Sequence, residues 1–562
     1  MKKDISLSVS FALLITFSFP PFKFGFLAYV ALIPLFYLLA TKSRKEAFRW
    51  GYFAGLLTNL MLVYWIGWST IAGAIGAILI LPACVGFFGY LHTISREKTG
   101  LIAVLFTPFW WTAIEWLKTL SQFAFPWFTL GYSQSYYIHL IQYAEYFSVY
   151  GVSFWVVLLN ALIFLLIKKY NFPKIRYAIV TVLGILFLLP YLNGRLTVSD
   201  EYPENTQFLR IGLVQGSIDP FKKWLPEFKD KSFETYGRLT AEIAREKPQL
   251  IIWPETATPC WLKHDFRYFK KVRKQVDSLS IPILTGTPDY KMVNQTEFRT
   301  YNSAILLRPF DPTIQTYVKM HLVPVGERIP YEDSFPFTLI NELLNKLEMG
   351  QGNFSPGEEE VIFSFVPRDS NSTSSSESRA FMKMMQTLTT DSLLRVLEDE
   401  KQQQADDSVR FAVAICYESV FPQIVRNFVN KGAQFEVVIT NDAWFGRTSM
   451  PYQHLQISIF RAIENRVSIA RCANAGISAF IDPYGRVIGQ TPLFQEASLI
   501  GEIPLLKEKT FYAKHGNLFS NAILIICGIL ILFLFIKRNK SATQENIAIE
   551  PEKIESEKMV IN

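Results

Sequence analysis

Half of the 562 residues are hydrophobic, 15% are aromatic and only 19% are charged. The chain is too long for one compact domain, and too poor in charge for an ordinary soluble protein, where about a quarter of residues are charged. The net charge of +7 is modest for this length, and no basic stripe of the kind that tracks nucleic acid runs along the chain.

Apolar segments lie at about 5–19, 24–41, 51–68, 71–93, 101–121, 150–167, 177–193 and 519–536. Most approach the ~20 residues that a membrane-spanning helix needs. The first is short and ends at Pro20-Pro21, but no small-residue cleavage site follows, so it reads as a retained span rather than a signal peptide.

Basic residues occupy alternate junctions: Lys2-Lys3; Lys42, Arg44, Lys45 and Arg49; Arg96 and Lys98; Lys168, Lys169, Lys174 and Arg176. The opposite junctions hold few, with Lys23 and Lys118 as exceptions. The positive-inside rule then puts the amino terminus in the cytoplasm. About seven spans would deliver the chain to the outside near residue 195, and an eighth would return it to Lys537-Arg538. The expected organisation is a membrane domain over 1–195, an extracytoplasmic domain over 205–506, a last span over 517–537 and a disordered cytoplasmic tail over 539–562.

The 205–506 block alternates strand-like and helix-like stretches. Phe208–Val214 and Leu250–Trp253 flank the helical Asp230–Lys247, and Phe266–Leu279 precedes Ile281–Thr285. Ser419–Lys431, closed by Gly432, leads into Phe435–Thr440. This alternation predicts an α/β domain. It lapses at about 367–408, where a serine-rich run and Lys401-Gln402-Gln403-Gln404 read as a solvated insertion.

Three strand-like runs end in groups that a core does not accept unpaired. Phe411-Ala412-Val413-Ala414-Ile415 runs into Cys416, Ile251-Ile252-Trp253-Pro254 into Glu255, and Tyr317-Val318 into Lys319. A lone cysteine in such a place is more often a packed core thiol, and Glu255 with Lys319 could be a buried structural pair. Together they form an acyl-transfer set, in which Glu255 takes the thiol proton, Cys416 attacks, and Lys319 with the Tyr417 backbone N–H holds the oxyanion. His321 and His454 offer a papain-like alternative. Five cysteines give no disulfide framework or metal-type spacing, although a Cys260–Cys472 bridge is possible in an oxidising compartment; the six histidines do not group as ligands.

Gly212-Leu213-Val214-Gln215-Gly216, Trp253-Pro254-Glu255-Thr256, Lys319-x-His321-Leu322-Val323-Pro324-x-Gly326-Glu327, Cys416-Tyr417-Glu418 and Asn441-Asp442-x-Trp444-Phe445-Gly446 occur in that order. With the spans, they resemble the apolipoprotein N-acyltransferases, membrane-embedded members of the nitrilase superfamily. The resemblance implies a multi-pass helical bundle of about eight spans carrying a nitrilase-like αββα sandwich. It implies Glu255, Lys319 and Cys416 as catalytic residues, with Glu327 and Glu418 orienting the lysine and the base. Trp224, Trp444 and Phe445 would line the substrate site or its lid. The implied donor is a glycerophospholipid and the acceptor the S-diacylglyceryl cysteine of a lipoprotein, handled by a monomer in the bacterial inner membrane, with its catalytic domain on the periplasmic side and without metal or dissociable cofactor. Phe109, Trp110, Trp111, Trp116, Phe123, Phe125, Trp127 and Phe128 fit an aromatic belt at the outer interface, and some could guide acyl chains. The alternatives are a membrane-tethered nitrilase-type amidase and a catalytically silent lipid- or lipoprotein-binding protein.

Overall fold

The computed structural model describes residues 1–346, 353–367 and 407–537. The expectations for the 367–408 insertion and the 539–562 tail fall on residues outside these, apart from the insertion's edges.

Every predicted apolar segment is helical. The helices are Lys2–Ser18, Leu32–Leu39 after a 3-10 turn, Arg44–Leu62, Ile71–Ile80 with Pro82–Thr99, Thr107–Leu117, Ala144–Lys168, Pro173–Thr197 and Leu518–Ile536. Among the described residues, four stretches are long and apolar enough to cross a membrane: Ile71–Leu117, Ala144–Lys168, Pro173–Thr197 and Leu518–Ile536. The first of these is divided where Pro82 and Pro108 begin new helices, because proline fits the first turn but not the interior. Arg44–Leu62 and Pro82–Thr99 approach closely because their contact is made by small residues. A Cβ at Gly89 would stand 2.7 Å from the Ala47 carbonyl oxygen, too near for any other residue.

The basic junctions gather at one end of the bundle. Lys42 lies 3.0 Å from Asp4, Arg44 Nε donates to Glu97 at 2.7 Å, and Lys98 Nζ donates to the Lys537 carbonyl at 2.8 Å.

The α/β domain holds two six-stranded sheets among the described residues. One contains β1 (Gln207–Gln215), β2 (Leu250–Ile252), β3 (Ile283–Met292), β4 (Phe298–Leu307), β5 (Ile314–Val318) and β12 (Ala497–Leu505), in the order β12-β1-β2-β3-β4-β5. The other contains β6 (Phe363–Phe365), β7 (Val409–Ile415), β8 (Phe435–Thr440), β9 (Ser468–Ala473), β10 (Ala479–Ile481) and β11 (Val487–Gln490), in the order β11-β10-β9-β8-β7-β6. The central pairs β1–β2, β2–β3, β7–β8 and β8–β9 are parallel, with antiparallel strands outside them.

Alternation along the strands separates the faces. Leu209, Ile211 and Leu213 join the main core between the sheets, whereas Val214, Ile251 and Ile283 pack with Phe233 and Leu239 of helix Pro226–Ile243 and Val272 of helix Phe266–Leu279. Helices Pro422–Asn430 and Met450–Asn465 cover the second sheet. The result is the αββα sandwich that the resemblance implied. Cys472 reaches across to the first sheet, its Sγ 3.2 Å from the Ile252 carbonyl oxygen and 3.5 Å from that of Val214, and Cys260 and Cys472 are both free thiols.

Bundle and sandwich share one core. Trp127 Nε1 donates to Gln453 Oε1 at 3.0 Å, and Arg461 Nη2 donates to Tyr132 Oη at 3.2 Å. Trp110, Trp116 and Trp127 are buried, which corrects their reading as part of an aromatic belt at the outer interface, while Phe125 and Trp127 line a cavity at Cys416. An indole packs equally well in a core, and here protein covers these rings.

Candidate active site

The site forms where three strands end. β2 leads through Trp253-Pro254 to Glu255; β5 ends just before Lys319, and β7 just before Cys416. Glu255 turns tightly against β3, where a Cβ on Gly286 would stand 2.6 Å from Glu255 Cα; only glycine allows that approach. Cys416 has φ of 53°, a left-handed conformation that non-glycine residues seldom adopt and that concentrates at reactive positions.

Lys319 and Glu255 are both buried. Lys319 Nζ stands 2.8 Å from Glu327 Oε1 and 3.6 Å from Glu255 Oε1. Asn302 Nδ2 donates to Glu255 Oε1 at 2.8 Å and to Glu327 Oε1 at 3.2 Å, and Asn441 N–H donates to Glu255 Oε2 at 2.9 Å. Glu327 Oε2 accepts from Val323 N–H at 2.8 Å, which folds its loop back on the lysine.

Glu418 is fully buried rather than a surface charge. Its Oε1 accepts from Tyr317 Oη at 2.7 Å, Met320 N–H at 2.8 Å and His321 N–H at 3.1 Å, and its Oε2 accepts from Ile415 N–H at 2.8 Å. One carboxylate thus pins the strand end that carries the lysine to the one that carries the cysteine. Burial raises its pKa to about 6 against those donors.

Burial also pushes the Cys416 thiol well above its ordinary range, with the Glu255 charge adding to the effect and Lys319 opposing it. Burial raises Glu255 as well, against Lys319, Asn302 and Lys223 and with Glu327. For Lys319, burial works against the charge, but Glu327, Glu255 and Cys416 outweigh it and keep the ammonium protonated. The resting set is therefore a neutral thiol, a carboxyl group held by donors and a fixed cation. Such a set favours proton transfer to Glu255 as the sulfur attacks.

His454 touches the Cys416 main chain. Its Nε2 lies 3.2 Å from the Cys416 carbonyl oxygen and 2.9 Å from Ser419 Oγ, and its Nδ1 lies 3.0 Å from Asp442 Oδ1. Asp442 is held at about 2 by Arg471 and His454 against burial. This buried cluster supports the left-handed turn at Cys416. His321 packs its ring on Phe421 at 5.0 Å. The papain-like alternative thus has no contact to carry it.

A cavity of about 140 Å³ opens beside Cys416, lined by Trp65, Ile66, Phe125 and Trp127 of the bundle and by Tyr417 and Phe445 of the sandwich. Tyr417 Oη donates to the Ala124 carbonyl at 2.5 Å, and its ring stacks on Trp127 at 6.5 Å. Phe445 meets Trp65 edge-on at 5.1 Å. Trp444 contacts Phe221 at 4.9 Å. Trp224 lines a separate, open groove with Trp261 and Tyr290, outside the cavity at Cys416. It occupies the loop after β1.

Asn302 and Lys223 escaped the sequence reading. Asn302 is the first buried residue of β4, followed by Ser303 and then the apolar run 304–307, so its sequence context lends it no distinguishing mark. Lys223 follows Lys222 in a loop, and nothing in that pair marks it as buried.

Residues 11–162 match the profile of the apolipoprotein N-acyltransferase N-terminal domain, and residues 210–509 match that of the carbon-nitrogen hydrolases. An apolipoprotein N-acyltransferase of Chlorobaculum tepidum is 32% identical, covering 96% of this chain and 98% of its own. That of Geobacter metallireducens is 30% identical, covering 96% of each chain. That of Pasteurella multocida is 28% identical over 89% of each.

Proposed function

Because the chain belongs to the apolipoprotein N-acyltransferase family, we propose that it moves an acyl chain from a glycerophospholipid to Cys416, and then to the α-amino group of a lipoprotein's S-diacylglyceryl cysteine. It is a membrane acyltransferase of lipoprotein maturation. The observation that carries the mechanism is the convergence of Glu255 and Lys319 on a cysteine at the mouth of an apolar cavity walled by both parts of the molecule.

In the first half-reaction Glu255 takes the thiol proton while sulfur attacks the ester carbonyl. Lys319 and the Tyr417 N–H stabilise the oxyanion. Collapse breaks the ester C–O bond, and Glu255 returns the proton to the departing lysophospholipid. In the second, the acceptor amine attacks the thioester and Glu255 takes an amine proton. The C–S bond then breaks, and the proton returns to the Cys416 sulfur. Glu327 and Asn302 hold the lysine and the base in register throughout, and Glu418 holds the strand ends. Phe445 forms part of the acyl wall, while Trp444 packs on Phe221.

The substrates explain the architecture. A phospholipid ester and a diacylglyceryl cysteine both lie at the headgroup level of a bilayer, where a sandwich seated on a helical bundle can reach them. About eight spans, a cytoplasmic amino terminus and a periplasmic catalytic domain on the inner membrane complete the reading. The gathering of basic junctions at the end of the bundle marked by Lys98 and Lys537 supports it.

Mass spectrometry of lipoprotein amino termini from cells with and without this protein tests the activity. Triacylated termini should depend on its presence. Unchanged N-acylation in its absence, with no other such enzyme in the cell, would refute the assignment.

A further inference from the structure

Lys223 is 2% exposed, although it follows Lys222 in a loop flanked by exposed aromatics. Its Nζ donates to the Thr256 carbonyl at 2.9 Å and to the Thr256 hydroxyl. Thr256 has φ of 46°, a conformation that β-branched residues rarely adopt, and it directly follows Glu255. The ammonium therefore closes on the turn that aims the Glu255 carboxylate.

Charge balance points the same way. Glu255 and Glu327 share a single cation, Lys319, at 3.6 Å and 2.8 Å. One buried carboxylate, Glu255, and one half-buried one, Glu327, against a single ammonium leave an excess negative charge, which is costly where Glu255 is shut away from water. Lys223 is the further cation whose charge acts on Glu255. Its own loop is tied to the same carboxylate by a second route. Ser217 N–H donates to the Asn474 carbonyl at 2.7 Å, Asn474 Nδ2 donates to Asn441 Oδ1 at 3.0 Å, and Asn441 N–H donates to Glu255 at 2.9 Å.

We propose that Lys223 is a positioning residue for acyl transfer: its ammonium clamps Thr256, and through it Glu255, and carries the second positive charge of a site that holds two carboxylates. This role rests on the Cys416 thioester mechanism above. The charged and titratable groups facing Glu255 are Lys319 from the end of β5, Glu327 from the loop after it, Cys416 from the end of β7 and Lys223 from the loop after β1. Burial lowers the Lys223 ammonium to about 7 against the pull of Glu255, so its charge is present on the acid side, where the base loses activity. Removing that charge favours protonated Glu255 and moves the acid limb of the reaction to higher pH.

The test measures the rate at which the full-length protein, given phospholipid alone, gains an acyl chain on the peptide carrying Cys416, across pH. Two neutral variants, Lys223→Met and Lys223→Gln, guard against a folding failure in either, and Lys223→Arg keeps the charge. Both neutral variants should shift the acid limb upward by about one pH unit or more, whereas Lys223→Arg should leave its midpoint in place. A uniform loss of rate with an unmoved limb in the neutral variants would overturn the proposal and leave Lys223 a purely structural residue. A wild-type protein that forms no adduct at any pH would instead overturn the nucleophile assignment, and with it this role.

Discussion

Asn302 Nδ2 lies 2.8 Å from Glu255 Oε1, so a strand side chain fixes this carboxylate from the opposite flank to Asn441. The same amide nitrogen reaches Glu327 at 3.2 Å and holds apart two carboxylates that would otherwise repel. Asn302→Leu keeps the branched shape and removes the donor. Hydrogen bonds to charged groups contribute about 1.5–3 kcal/mol, so thioester formation should slow by roughly tenfold to a hundredfold. An unchanged rate in single-turnover measurements would show that Lys319 alone is enough to orient the base.

The bundle and the sandwich are joined by a buried carboxylate. Glu464 Oε1 accepts from Ser148 Oγ at 2.6 Å, Val149 N–H at 2.8 Å and Arg461 Nη2 at 3.1 Å. Ser148 has φ of 58°, which breaks helix Ala144–Lys168 near its start and turns these donors toward the sandwich. Glu464→Ala would leave Arg461 buried without that partner, at a cost on the order of 3–5 kcal/mol. Thermal unfolding in detergent should show a clearly lowered midpoint; an unchanged midpoint would mean the junction holds without this contact.

Thioester formation from phospholipid alone should have one acid limb and no thiol limb. Burial raises both the Cys416 thiol and Glu255, so attack requires the Glu255 carboxylate rather than a free thiolate. As pH rises, the rate should climb through a value above the ordinary glutamate pKa of about 4.3 and stay level beyond about 8.5, where an ordinary cysteine ionises. A second climb near that ordinary thiol value would identify a freely titrating thiolate as the attacking species.

Sidedness can be read by labelling. A cysteine placed at Ser43, in the basic junction, should resist a membrane-impermeant maleimide in cells whose outer barrier has been opened. One placed at Gln295, in the β3–β4 turn, should react. Labelling at Ser43 with protection at Gln295 would invert the topology.

Much of the candidate site was legible because polar groups that end apolar runs stand out. Glu255, Lys319 and Cys416 each end a strand whose composition rejects an unpaired polar group. The second sheet could not be read from periodicity. Strands β7, β8 and β9 are buried on both faces and show no alternation, and β10 has only three residues. Lys223 was hidden because burial depends on where its loop folds, which neighbouring residues do not encode. Trp127 shows the same limit from the apolar side: an indole looks alike in a lipid belt and in a core. Only its contacts with Tyr417 and Gln453 decide between them.

The thioester at Cys416 is the centre of the account, and one measurement reaches it directly. Purified protein incubated with phospholipid and no acceptor should release lysophospholipid and become heavier by one acyl chain on the peptide that carries Cys416. Hydroxylamine or a diacylglyceryl-cysteine peptide should discharge it. Cys416→Ala should form no adduct, and Glu255→Gln and Lys319→Ala should form it about a hundredfold more slowly or worse. Acyl transfer by Cys416→Ala at an appreciable rate would contradict the account and point to direct transfer between the two lipids.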